Sequence, residues 1–101
     1  MIDMDIELLE QVKNYLDITY DTNAGEDLKL SGIINRGKKY LEGKIGSCDF
    51  ENETQERQLL FDYCMYTRSG ALDEFYRNYK GEIIALQMER WAKKHAENQG
   101  S

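Results

Sequence analysis

The stretch ETQERQLLFDYCMYTRSGALDEFYRNYKGEIIALQMERW, residues 53–91, decides the fold. Leu59, Leu60, Tyr63, Cys64, Tyr66 and Thr67 recur at helical spacing on one face. After Ser69-Gly70, Leu72, Phe75, Tyr76, Tyr79, Ile83 and Leu86 do the same. Two amphipathic helices are therefore expected, one from about Glu53 to Arg68 and one from about Leu72 to Lys94. Asn52 is the expected N-cap of the first, with Gln55 three residues on as in a capping box.

Working outward, the same period runs back to the start of the chain. Leu30, Ile33, Ile34, Gly37, Tyr40, Leu41 and Ile45 form a stripe on a helix from about Glu26 to Lys44, stopped by Gly46. Leu8, Leu9, Val12, Tyr15 and Leu16 form another on a helix from about Asp5 to Leu16, whose acidic start suits the helix dipole. The sequence contains no proline, so Gly, Asn, Asp and Ser supply the breaks. The expected fold class is all-α: a small bundle of about four helices with a long C-terminal helix. One domain is expected over residues 1–96, followed by a polar tail, 97–101, that frays. Gly37 lies inside the apolar stripe. Either another backbone approaches closely there, or the helix simply tolerates the glycine.

Composition narrows the function. The 101 residues are 41% hydrophobic and 32% charged, within the globular range. No apolar run approaches the roughly 20 residues needed to span a bilayer. The acidic N-terminus does not read as a signal or transit peptide, so no membrane association and a cytosolic setting are expected. The net charge of −6 opposes a nucleic-acid-binding role, including that of a helix-turn-helix protein. The basic cluster Arg36, Lys38 and Lys39 reads as a solvated helix face.

Chemistry is sparse. Cys48 and Cys64 are far apart, there is no CxxC, and His95 is the only histidine, so a zinc ligand set is incomplete. Cys64 reads as a small core residue. The run Asp17, Thr19, Asp21, Asn23, Gly25, Asp27 fails as a calcium loop: counted from Asp17, position six is Thr22 and position twelve is Leu28. Neither a phosphate-binding glycine loop nor a GxSxG elbow is present. No catalytic residue, cofactor or metal is expected.

A second apolar stripe carries more information. Phe61 and Met65 lie off the main face of their helix, and Ile84, Met88 and Trp91 recur at i, i+4, i+7 away from Ile83 and Leu86. A small domain buries one stripe per helix in its own core. A second stripe is either covered within the bundle, for instance by the first helix, or contacts another subunit.

LLEQVKNYLDITYDTNAGED (8–27), IINRGKKYLEGKIG (33–46) and ALDEFYRNYKGEIIALQMERW (71–91) together resemble the successive helices of phage head–tail connector proteins. The resemblance covers most of the chain and rests on the order of segments, since that family has no compact motif of binding residues. It implies a helical, non-enzymatic adaptor of a tailed bacteriophage or prophage. Such adaptors form a ring, often dodecameric, under the portal protein. They meet a tail-side stopper or completion protein and continue the channel through which DNA passes without specific binding. The expected location is the virion head–tail interface, with the host cytoplasm before assembly. In a ring, Phe61, Met65, Ile84, Met88 and Trp91 would supply subunit contacts. A small helical regulatory or antitoxin-like module is the alternative.

Overall fold

The computed structural model describes the backbone of residues 5–99 and the side chains of residues 5–96. Four helices follow in order: α1 (Ile6–Tyr15), α2 (Ala24–Ile45), α3 (Gln55–Arg68) and α4 (Leu72–Gln99). There is no strand among the described residues, and the last helix is the longest.

Local chemistry sets each boundary. Asp5 caps α1, its carboxylate accepting the Leu8 N–H at 3.0 Å, and Asn23 caps α2 by accepting from Glu26 at 2.8 Å. Helix α1 ends in paired bonds from Asp17 N–H to Asn14 C=O and from Ile18 N–H to Lys13 C=O. That closure puts Asp17 at φ +59°, a left-handed conformation that favours glycine. At the corresponding point after α3, Gly70 takes φ +70° without side-chain cost.

The cap of α3 differs from the sequence expectation. Thr54, not Asn52, accepts the Arg57 N–H, at 3.1 Å. Asn52 is engaged by Asp49, which accepts its backbone N–H at 3.1 Å and its side-chain amide at 2.9 Å. Gln55 thus becomes the first helical residue, and its side chain donates to Glu82 on α4 at 2.8 Å. Helix α4 also runs past the expected fray point at Glu97, continuing through Gln99. No Gly or Pro interrupts residues 92–99, so nothing local stops it.

The core matches the main stripes. Leu8, Leu9 and Val12 of α1 pack with Leu30, Ile33, Ile34, Leu41 and Ile45 of α2, with Leu59, Leu60, Tyr63 and Cys64 of α3, and with Phe75, Ile83 and Leu86 of α4. Phe75 is fully buried, with the rings of Tyr63, Tyr66 and Tyr79 at 5.5, 5.9 and 4.8 Å. Helices α2, α3 and α4 pack against one another, and α1 lies across α2 and α3.

Gly37 is explained by this packing. A Cβ there would lie 2.7 Å from Leu60 Cδ1 and 2.8 Å from Tyr63 Cδ1. It is therefore side chains of α3, not another backbone, that occupy the space glycine leaves. Gly32, with ordinary clearance to Arg36, is merely tolerated.

Two buried polar clusters tie the helices together. Asp62 accepts from Tyr15 of α1, from Tyr79 of α4 at 3.0 Å and from Gln58 at 3.1 Å. Burial and the bond to Asp62 push the Tyr79 hydroxyl well above the usual tyrosine range. The second cluster centres on Arg90 of α4. It donates to Glu56 at 2.8 Å, to Ile45 C=O at 3.4 Å and to Ser47 C=O, while Gln87 donates to Lys44 C=O at 2.8 Å. The Lys44 and Ile45 carbonyls, in the last turn of α2, lack a partner within their own helix, so α4 caps it from outside. Burial pushes the Glu56 carboxyl up. Hydrogen bonds from its own N–H and that of Asp49, with the Arg90 charge, outweigh this and hold it below the usual glutamate range.

Candidate interaction surface

Helix α4 is long because only part of it has a core to cover. Its buried apolar residues end at Leu86, and Arg90 one turn later bonds back to the bundle. Every residue from Trp91 to Ala96 is exposed. At about 1.5 Å per residue, the 28 residues of α4 span about 42 Å, most of the 52 Å long dimension of the molecule. The last part of α4 is therefore an arm whose residues 91–96 are all exposed.

Ile84, Met88 and Trp91 sit on the outward face of this helix. They are 42%, 67% and 67% exposed, as the second-stripe reading requires. Trp91 stacks on His95 one turn later, with ring centroids 4.8 Å apart and planes at 10°. Below the arm, Ile84 joins Tyr40, Tyr76 and the stems of Lys44 and Lys80 around a shallow hollow of about 360 Å³. Tyr76 of α4 and Tyr40 of α2 extend the apolar surface across to α2, which the sequence reading missed because both tyrosines fall on core stripes.

The α3 pair does not form a matching patch. Phe61 is a correction: it is 7% exposed and covered by α1, with the Tyr15 ring centroid 5.4 Å away and the Arg57 guanidinium 4.7 Å above its own ring. The first helix thus covers the second stripe of α3 at this point. Met65 is 38% exposed and lines a hollow beside Tyr15 and Leu16. The structure brings Ile84, Met88 and Trp91 together, leaves Met65 apart from them, and removes Phe61 from the surface.

The chemical candidates resolve into structural roles. Asp27 of the apparent calcium loop pairs with Lys13 at 2.7 Å and accepts from Thr22 at 2.5 Å. Their mutual hydrogen bond raises the Lys13 ammonium and lowers the Asp27 carboxyl. Among the described residues, no group of three His, Cys, Asp or Glu is placed to hold a metal ion. Burial pushes the Cys48 thiol up to about 11 and the Cys64 thiol up to about 12, so neither is an activated nucleophile. Among the described residues, no helix is long and apolar enough to cross a membrane.

Sequence reasoning also missed the polar ties. Asp62 interrupts the apolar run Leu59–Cys64, and Arg90 follows Leu86 by four residues on the inward face. A charge at an inward position needs a partner, and that was the available signal. The chain matches no family model, no curated protein and no solved structure.

Proposed function

We propose that this protein is a structural assembly module that uses the outward face of α4 to contact other subunits. The observation that carries this reading is the arm: Ile84, Met88 and Trp91 stay exposed on a helix that outruns its own core. Clustered exposed Met and aromatic side chains are the composition of an interface core. Within that class, the specific reading is a head–tail connector of a tailed bacteriophage or prophage. In this role it forms a ring under the portal, meets a tail-side completion protein and extends the DNA channel. The order of segments supports it, as do four helices without a strand among the described residues, the last of them the longest.

The acidic balance fits a wall past which DNA must slide, since it does not attract phosphate. Residence would be at the virion head–tail interface, with the host cytoplasm as the site of synthesis. The test is electron microscopy of the chain at high concentration, alone and mixed with a phage portal protein. Rings, or a collar on the portal, are expected. A discrete closed dimer that ignores the portal would instead favour a regulatory or antitoxin-like module.

A further inference from the structure

We propose that in the assembly the α4 arm of one copy lies in an acidic groove of the next. The groove runs between the start of α1 and the α2–α3 connection, with a volume of about 570 Å³. Its floor includes Leu8 and Phe50, and the carboxylates of Asp5, Glu7, Asp49 and Glu51 line it against one ammonium, Lys38. Asp49 is occupied by Asn52 and by backbone N–H groups, and Asp5 by its cap. Glu7 and Glu51 make no ion pair among the described residues.

The arm is complementary. It presents Trp91 with Lys94 three residues on, and Lys93 lies next to Lys94 around the helix; neither lysine makes an ion pair among the described residues. Charge along the chain is divided in the same sense. Residues 1–28 hold eight acidic residues and one lysine, whereas the remainder is close to neutral. Opposite surfaces of this kind steer association and fix its register.

Geometry places the two patches at one end of the bundle. Arg90, at the root of the arm, bonds Ser47 and Glu56, and Glu56 accepts the Asp49 N–H at 3.2 Å. The arm therefore leaves the bundle beside the loop that walls the groove. Its exposure shows that it does not fill the groove of its own chain. Rotation about a ring axis preserves height, so two unlike patches at one level can meet between neighbours, as a heterologous ring contact requires.

The inference rests on the self-assembly reading, and the experiment separates the two. Sedimentation velocity at low salt, alone and with the portal, is run on the full-length wild type, on Lys93→Glu/Lys94→Glu, on Glu7→Lys/Glu51→Lys, and on Met88→Asp. Each charge variant alone should associate at least about tenfold more weakly. An equimolar mixture of the two should recover assembly, because each reversed arm then faces a reversed groove. Charge variants that assemble like wild type, or a mixture that fails to recover, overturn the groove while a loss in Met88→Asp still upholds self-assembly. A wild type that stays monomeric in every condition overturns both.

Discussion

Replacing Asp62 by alanine removes an acceptor on α3 that bonds both α1 and α4. Asp62 is 7% exposed, and its carboxylate takes hydrogen bonds from Tyr15, Gln58 and Tyr79. A hydrogen bond to a charged group contributes about 1.5–3 kcal/mol, but the three are not equal. Tyr15 and Gln58 lie at the surface and recover water when the carboxylate goes. Tyr79 is half-buried against Phe75 and Tyr66, so its hydroxyl is the group left poorly solvated. Losing the buried carboxylate also relieves its own desolvation, which offsets part of the damage. The expected net loss is about 2–3 kcal/mol for Asp62→Ala and about 1 kcal/mol for Tyr79→Phe. The two should couple by about 1 kcal/mol in a double-mutant cycle. Urea unfolding followed by circular dichroism measures all three, and with m of about 1–3 kcal/mol/M the alanine variant should lose about 0.7–3 M in midpoint. A loss below about 0.5 kcal/mol with no coupling would make Asp62 a bystander and refute the account of how α1 is held.

The glycines supply an internal contrast. Gly37→Ala forces a methyl against buried Leu60 and Tyr63 and should destabilise by about 1 kcal/mol despite better helix propensity. Gly81→Ala meets nothing within 4 Å and should stabilise by about 0.5–1 kcal/mol; equal effects in thermal melts would contradict the packing around Gly37. The Glu56–Arg90 pair should make the fold acid-sensitive. Because the folded carboxyl is depressed, its contribution is complete above the ordinary glutamate value of about 4.3 and is lost as pH falls through the folded value. Glu56→Gln should cost about 1–2 kcal/mol at pH 7 and flatten the stability profile below about pH 4; an unchanged acid limb would remove Glu56 from the linkage.

The helices and their inward faces were legible because 3.6-residue periodicity records burial directly. Leu30, Ile33, Ile34 and Leu41 needed no tertiary information. The cap of α3 was not legible, because Asn52 and Thr54 are both good caps and only the Asp49 turn decides between them. The surface was half legible. Phe61 and Ile84 look alike in sequence, each apolar and off the main stripe. One is covered because α1 crosses α3 there, while the other is open because none of the described helices crosses that face of α4. That distinction lies in helix placement, which no local pattern encodes. The segment order that resembles connector proteins speaks to architecture and cannot reveal which side chains meet a neighbour.

The central claim is that the outward face of α4 serves assembly and not the monomer core. Met88→Asp, compared with Ile83→Asp five residues earlier on the inward face, tests it most directly. Met88 is 67% exposed and Ile83 is 4% exposed. The pair is measured for monomer melting temperature and for sedimentation, alone and with the portal. Ile83→Asp should unfold the domain or melt far below wild type, since it buries an unpartnered charge. Met88→Asp should melt within a few degrees of wild type, as surface changes do, and lose the proposed self-assembly or attachment to a portal protein. Met88→Asp monomers that melt as low as Ile83→Asp, or that assemble as wild type does, would contradict the account.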